Sequence, residues 1–206
     1  LRSFEKLLRA LAVRTGQLLS YSDLDRDADI SPNTAKQWIS VLVASGQIWL
    51  LEPYHRSLGK RLVKSPKVYF MDSGLALYLL GIPNWHAVMQ SHLAGVIWEN
   101  HIFGQIYRHF RSKGHRPSIW FWRTAYGDEV DILIDRGGQF TAIECKLAEF
   151  PDNSDTKGFR ALQEFYGKES LVKGFVACRT PSAYPINNLI TAAPGSRLPL
   201  DFPDFF

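Results

Sequence analysis

Residues 129–147 read EVDILIDRGGQFTAIECKL and predict a β-hairpin. Two apolar, strand-forming runs flank the segment DRGGQ at 135–139, whose glycines suit a tight turn. Because successive side chains of a strand alternate between its two faces, Glu144 and Lys146 share one face, and the turn brings Asp131 back beside them. Two carboxylates and an ammonium group at the edge of a sheet are typical of a metal-dependent site that cleaves phosphodiesters. Alternating charges on a solvent-exposed strand produce the same pattern, so the hairpin alone leaves both interpretations open.

The hairpin offers hard oxygen ligands of the kind that Mg²⁺ or Mn²⁺ prefers. The predicted metal ligands are the carboxylates of Asp131 and Glu144 and the backbone carbonyl of Cys145. Glu129 lies on the same strand face as Asp131 and is a further candidate ligand. Lys146 would orient or help to deprotonate an attacking water and would offset the charge of the phosphate.

A fourth acid, Glu99, lies within an apolar-periodic helix predicted over residues 88–113. A carboxylate in such surroundings is costly unless it is paired or binds a cation. The predicted catalytic set therefore consists of Glu99, Asp131, Glu144 and Lys146.

The elements around this set follow the order helix, three strands, helix, strand. This αβββαβ order predicts an α/β (α+β) domain over residues 85–206, in which the last strand is reached through a helical crossover. The tail after Pro181 is rich in Pro, Gly and Asn and is predicted to be irregular. The strands are predicted at residues 118–123, 130–135, 140–147 and 171–178, and the crossover helix at about 156–166.

Residues 1–84 predict a winged helix-turn-helix. The third helix is the clearest in the chain, because Ser31 suits its N-cap, Pro32 its first turn and Gly46 the position after its last turn. Two shorter helices precede it and two short strands follow it, which is the order of a winged helix-turn-helix. Such a unit reads DNA in some proteins and serves packing or protein contact in others.

Positive charge is concentrated in the first part of the chain. Residues 1–90 carry 11 Lys and Arg against 7 Asp and Glu, whereas residues 91–206 carry 13 of each. Between Pro53 and Met71 five cations occur without an acid, which indicates phosphate contact, although lysines also keep a solvated loop soluble. The predicted DNA-binding residues are Asn33, Lys36 and Gln37 on the third helix and Arg56, Lys60, Arg61 and Lys64 in the loop.

The composition is that of a globular chain of 206 residues, with 46% apolar and 21% charged residues. No run approaches the roughly 20 apolar residues of a membrane-spanning helix, so no membrane partner is expected. Cys145 and Cys178 lie in apolar runs, which favours free thiols in the reducing cytoplasm over a disulfide. The phosphate-binding motif GxxxxGK(S/T) does not occur, so these residues carry no ATPase motif.

Four segments resemble the C-terminal region of a family of prokaryotic AAA-type ATPases. They are KVYFMDSGLALYLLG at 67–81, GVIWEN at 95–100, EVD at 129–131 and IECK at 143–146. The resemblance implies a winged helix followed by a domain of unknown function with the restriction-endonuclease-like, PD-(D/E)xK nuclease fold. It also implies an ATP-binding ATPase module in cis, N-terminal to these residues. The chain begins at Leu1 without Met, which fits a C-terminal fragment.

The same resemblance implies that Glu99, Asp131, Glu144 and Lys146 occupy the motif positions of the nuclease superfamily, with Val130 where the motif has proline. The predicted function is DNA binding together with metal-dependent hydrolysis of phosphodiesters by a Mg²⁺-activated water, as in an endodeoxyribonuclease. Two alternatives stay open. One is a catalytically inactive, DNA- or protein-binding regulatory module of the ATPase, and the other is a toxin–antitoxin-like interaction module without a nucleic-acid role. A homo-oligomer is compatible with either alternative.

Overall fold

The computed structural model of the chain describes residues 2–55, 62–115 and 118–206, and these form a mixed α+β structure. The predicted fold class is therefore confirmed at this level. Among the described residues no helix is long and apolar enough to cross a bilayer. The helices are α1 (Arg2–Val13), α2 (Tyr21–Ala28), α3 (Pro32–Ala44), α4 (Ser73–Leu80), α5 (Trp85–Met89), α6 (Ala94–Ser112), α7 (Lys157–Tyr166) and α8 (Leu198–Asp201). The strands are β1 (Ile48–Leu51), β2 (Lys67–Phe70), β3 (Ile119–Arg123), β4 (Glu129–Asp135), β5 (Phe140–Cys145), β6 (Leu171–Cys178), β7 (Tyr184–Pro185) and β8 (Ile190–Pro194).

The chain folds into two compact units. The first comprises Leu1–Leu51 and Ser65–Gly104, and the second comprises Glu52–Lys64 and Gln105–Phe206. The boundary that the sequence suggests, between residues 84 and 85, lies inside the first unit.

The first unit contains the three helices and two strands that the sequence predicts. The hydroxyl oxygen of Ser31 accepts a hydrogen bond from the backbone N–H of Thr34 at 3.1 Å, and Pro32 is the first residue of α3, so this helix begins as its capping residues predict. β1 and β2 pair antiparallel, with Ile48 opposite Phe70.

Residues 52–55 and 62–64, between β1 and β2, belong to the second unit. The backbone N–H of Tyr54 donates to the carbonyl of Phe121 at 2.7 Å, and the N–H of Phe121 donates to the carbonyl of Glu52 at 3.2 Å. The first residues of the predicted wing therefore run along β3.

The long helix predicted over residues 88–113 is divided into α5 and α6. The side chain of Asn84 accepts from the backbone N–H of Ala87 at 3.0 Å and starts α5. The hydroxyl of Ser91 accepts from the backbone N–H of Leu93 at 3.1 Å in the segment between the two helices. Asn84 thus starts α5 before the predicted range, whereas Ser91 competes for a backbone hydrogen bond within it, where apolar periodicity alone would continue the helix.

The second unit is built on a six-stranded sheet in the order β3-β4-β5-β6-β8-β7. β3, β4 and β5 are antiparallel neighbours, whereas β6 runs parallel to β5 and β8 parallel to β6. The predicted order of three strands, a helix and a fourth strand is confirmed.

The prediction of an irregular tail after Pro181 is wrong, because this part of the chain supplies β7 and β8. Ile190 and Ala192 of β8 are buried, and the strand pairs with the second half of β6. The surrounding Pro, Gly and Asn residues indicate turns, so this composition gives little sign of a strand. β8 forms because its backbone pairs with the edge of β6, and this pairing is not encoded in the local sequence.

Helix α7 packs on the sheet through Phe159 and Leu162, which lie in one apolar cluster with Val130. The helix approaches β4 so closely that a Cβ atom at Gly158 would lie 1.9 Å from the carbonyl oxygen of Glu129. Only glycine fits there, and the start of α7 is thereby held against the strand that carries Asp131.

Candidate active site

The predicted hairpin is present. β4 and β5 pair antiparallel, and Asp135 lies opposite Phe140. Between them Gly137 and Gly138 adopt φ values of +74° and +89°, in the left-handed region that favours glycine. The carboxylate of Asp135 accepts from the backbone N–H of Gly138 at 2.7 Å and closes the turn. The register that pairs Ile132 with Ile143 places Asp131 opposite Glu144.

A β-bulge lies at Asp131, which the sequence did not predict. Trp120 pairs with Leu133, and Trp122 pairs with Val130. Between these two pairs β4 has two residues, Asp131 and Ile132, whereas β3 has only Phe121. A bulge bends its strand and changes the direction of the side chains there, and bulges are frequent beside active sites.

Asp131 is tied to the strand that carries Glu144 and Lys146. One carboxylate oxygen, Oδ2, accepts a hydrogen bond from the backbone N–H of Cys145 at 2.8 Å. Cys145, which donates this hydrogen bond, lies between Glu144 and Lys146 in the chain. The structure therefore brings Asp131, Glu144 and Lys146 together at the end of β5.

Lys146 forms an ion pair with Glu144. Its Nζ lies 2.9 Å from Oε1 of Glu144, and the two side chains are 36% and 15% exposed. Burial acts to lower the pKa of Lys146, but the carboxylates of Glu144, Asp131 and Asp155 outweigh burial and raise that pKa above its ordinary value. Lys146 is therefore a firmly protonated cation at neutral pH.

Asp155 is a further carboxylate whose charge acts on Lys146, and the sequence did not single it out. Its carboxylate accepts from the backbone N–H of Asp152 at 3.1 Å, and the Asp152 carboxylate accepts from the N–H of Ser154 at 2.7 Å. This reciprocal capping box starts the turn that leads into α7. The two aspartates three positions apart are a capping signal that the sequence contains, but the effect of Asp155 on Lys146 depends on how α7 packs.

The donor chemistry at this site suits a hard divalent cation. Mg²⁺ commonly takes one or two carboxylates and keeps several water ligands, and the carboxylates of Asp131 and Glu144 with the carbonyl of Cys145 provide oxygen ligands only. Over residues 2–55, 62–115 and 118–206, no group of three or more His, Cys, Asp or Glu side chains could hold a metal ion. Glu129, the further candidate, lies 3.5 Å from Arg123 in an ion pair.

Glu99 lies in the first unit, where its carboxylate is engaged by two other side chains. Oε1 accepts from Nζ of Lys67 at 2.8 Å and from the hydroxyl of Tyr69 at 2.5 Å. Lys67 is one of the five cations between Pro53 and Met71 for which phosphate contact was expected. Its side chain is only 3% exposed, so Lys67 cannot contact phosphate. The catalytic role predicted for Glu99 stays a prediction, whereas its pairing within the first unit is a feature of the structure.

Asn100, next to Glu99, is a second buried polar residue that the sequence analysis did not single out. Its amide donates to the carbonyl of Phe70 at 3.0 Å, and its Oδ1 accepts from the N–H of Phe70 at 2.8 Å and from the hydroxyl of Thr15 at 2.6 Å. Glu99 and Asn100 together connect the start of α6 to β2.

The family described as Domain of unknown function (DUF4143) matches residues 94–198, about half of the chain. The chain belongs to the DUF4143 family. Residues 1–86 match a second description, Domain of unknown function (DUF8612). The DUF4143 match includes all four predicted catalytic residues, and the DUF8612 match includes all the predicted DNA-binding residues.

Two curated relatives of this DUF4143 protein are uncharacterized proteins, one from Mycobacterium bovis and one from Mycobacterium tuberculosis. Each is 26% identical to it over 188 residues, which cover 91% of this chain and 41% of the relative. The chain thus spans about two fifths of the length of the relatives that it matches. No solved structure matches it.

The predicted DNA-binding residues that the structure describes are exposed. Asn33, Lys36 and Gln37 share the exposed side of α3, and Lys64 is also exposed. The Lys36 ammonium lies 5.5 Å from the ring centre of Tyr21, which limits its freedom. The predictions for Arg56, Lys60 and Arg61 lie outside the described residues.

Proposed function

We propose that this chain binds DNA and hydrolyses its phosphodiester bonds at Asp131, Glu144 and Lys146 with the help of a divalent metal ion. The observation that carries the proposal is the convergence of these three residues, by the 2.8 Å bond from Cys145 N–H to Asp131 and the 2.9 Å ion pair between Lys146 and Glu144. Carboxylate oxygens next to a protonated amine combine a cation site with a partner for phosphate.

Each residue of the hairpin has a distinct part in this proposal. Asp131 and Glu144, with the Cys145 carbonyl, would hold Mg²⁺ or Mn²⁺, which when bound acidifies a water and neutralises charge on the phosphate. The backbone N–H of Cys145 orients the Asp131 carboxylate through Oδ2. Lys146, held 2.9 Å from Glu144, would offset the charge of the phosphate and would orient or help to deprotonate the attacking water.

The first unit would supply contacts to the DNA. Its three helices and antiparallel strand pair are compatible with a winged helix-turn-helix, with Asn33, Lys36 and Gln37 facing the DNA from α3. The unmatched three fifths of the relatives leave room for a further module. We infer that this module is an AAA-type ATPase in cis and that it acts in the cytoplasm.

The test is DNA cleavage by the purified chain. Supercoiled plasmid and linear DNA are incubated with Mg²⁺ or Mn²⁺, with and without a chelator. We expect metal-dependent cleavage that chelation abolishes and that Asp131→Asn lowers by about a thousandfold, since this change removes a metal-binding charge but keeps the side-chain size. Glu169→Gln is the control, because Glu169 is an exposed carboxylate of the same unit and its loss should leave the rate within about twofold.

Two outcomes would count against cleavage. DNA that stays intact with every metal, but is bound by the chain, would favour the inactive DNA-binding module. Equal cleavage by Asp131→Asn and wild type would trace the activity to a contaminant or to another site.

A further inference from the structure

Two aromatic side chains stand in solvent at the same edge of the sheet as the proposed site. Tyr126 is 77% exposed and Phe150 is 73% exposed. Tyr126 precedes Asp131 by five residues in the turn between β3 and β4, and Phe150 follows Lys146 by four residues in the segment after β5. Large aromatic side chains are usually buried in the core or in an interface, so two exposed rings near the proposed site indicate a binding role.

The strand order places these rings on either side of the site. β3 ends, β4 begins and β5 and β6 end at one edge of the sheet, because β4 is antiparallel to both neighbours and β6 is parallel to β5. Tyr126 lies in the turn between β3 and β4, whereas Phe150 lies in the segment that follows β5. Asp131 on β4 and Lys146 after β5 therefore lie between the two rings in the order of the strands. Adjacent strands are about 4.8 Å apart, so the edge from β3 to β6 spans about 14 Å, the length of about four stacked nucleotides.

The turn that carries Tyr126 is held by hydrogen bonds. The N–H of Thr124 donates to the carbonyl of Asp128 at 2.9 Å, and the N–H of Gly127 donates to the carbonyl of Thr124 at 3.2 Å. The hydroxyl of Thr124 accepts from the N–H of Asp128 at 3.1 Å. Because these hydrogen bonds already order the turn, binding of a ligand to the Tyr126 ring costs little additional backbone entropy.

The segment that carries Phe150 is held at both of its ends. The N–H of Arg179 donates to the carbonyl of Ala148 at 3.0 Å, and the hydroxyl of Tyr184 donates to the carbonyl of Pro151 at 2.8 Å. The guanidinium of Arg179 also lies 2.8 Å from the carboxylate of Glu149. Phe150 therefore projects from a fixed backbone.

The surroundings of the two rings favour a nucleobase as their occupant. Tyr126 lines a small pocket together with Trp122, Phe165 and the carboxylate of Asp128, and Phe150 follows Glu149 in the chain, so each ring offers an aromatic face with a carboxylate nearby. An unpaired base needs only a flat face on which to stack, and aromatic side chains next to a phosphate site are the usual platform for single-stranded nucleic acid.

We propose that Tyr126 and Phe150 stack on unpaired bases on the two sides of the phosphodiester bond at Lys146, so that the substrate is single-stranded DNA or DNA with a single-stranded segment. This inference rests on the proposed function and specifies its substrate class. Base pairs of an intact duplex keep their faces stacked on one another, so duplex DNA gains nothing from the two rings.

The test measures binding separately from cleavage. The full chain carrying Asp131→Asn is titrated with a single-stranded oligonucleotide that contains 2-aminopurine, and with the corresponding duplex, in Mg²⁺. Tyr126→Leu and Phe150→Leu keep an apolar side chain but remove the ring. We expect each to weaken single-strand binding by about tenfold and to reduce quenching of 2-aminopurine, with duplex binding unchanged.

Controls separate stacking from other effects. Phe150→Trp should restore or strengthen single-strand binding, since it returns an aromatic face. Tyr78→Leu removes an equally exposed ring, 77% accessible on α4 of the first unit, and should have no effect. Unchanged thermal unfolding of all variants is expected, because none of these rings is buried.

Three results would overturn the inference. If neither Tyr126→Leu nor Phe150→Leu affects single-strand binding, the stacking role of the two rings is wrong, but the proposed DNA binding and cleavage still stand. Equal weakening of single-strand and duplex binding would remove the preference for unpaired bases. Absence of binding to any DNA would overturn the proposed function and this inference with it.

Discussion

Glu99→Ala is expected to lower the free energy of unfolding by about 3–5 kcal/mol, because it leaves the ammonium group of Lys67 buried without its carboxylate. Lys67 is 3% exposed and donates to Glu99 at 2.8 Å, and Tyr69 donates to the same oxygen. The measurement is urea unfolding at equilibrium, followed by tryptophan fluorescence and by circular dichroism.

The paired change Lys67→Met with Glu99→Leu provides the control for this prediction. It removes both charges and keeps the apolar volume, so much of the lost stability should return. Glu5→Ala, which breaks an exposed ion pair with Arg9 on α1, should cost no more than about 0.5 kcal/mol. A Glu99→Ala variant as stable as wild type would contradict the structural role of Glu99. If a stable Glu99 variant had also lost DNA cleavage, the catalytic prediction for this residue would gain support.

Lys146→Met is expected to lower the rate of DNA cleavage by about a hundredfold to a thousandfold, because it removes the protonated amine beside the carboxylates of Asp131 and Glu144. Lys146→Arg keeps the charge and should retain more activity than Lys146→Met. The measurement is the single-turnover rate of cleavage in Mg²⁺, in which DNA binding and chemistry can be separated.

Lys168→Met is the matched control for this second prediction, since Lys168 is an exposed lysine of the same unit at the start of a short 3₁₀ turn. It should cleave at the wild-type rate. Cleavage by Lys146→Met at the wild-type rate would show that the ion pair with Glu144 serves stability alone.

Local sequence signals predicted the hairpin and the start of α3. The hairpin depends on two glycines between alternating apolar residues, and α3 depends on Ser31 and Pro32, so the deciding interactions lie within a few residues. The same local logic placed Asp131 opposite Glu144. What it could not give is the bulge at Asp131, because that extra residue is defined by the pairing of β4 with β3.

The partners of Glu99 illustrate a second limit of local signals. Its apolar surroundings predict that the carboxylate must be paired or bind a cation, but Lys67 and Tyr69 are 32 and 30 residues away in the chain. The sequence therefore indicated that Glu99 needs a partner without identifying it. The strand β8 was missed for a related reason, since its pairing with β6 is a property of the sheet and not of the five residues that form it.

Binding of Mn²⁺ to the intact chain, measured by electron paramagnetic resonance, tests most directly whether Asp131 and Glu144 form a metal site. We expect wild type to bind one ion, and Asp131→Asn and Glu144→Gln each to weaken binding by at least about tenfold, while Glu169→Gln, at an exposed carboxylate of the same unit, leaves it unchanged. Mn²⁺ affinities that are the same in wild type, Asp131→Asn and Glu144→Gln would contradict a metal-dependent site at this hairpin.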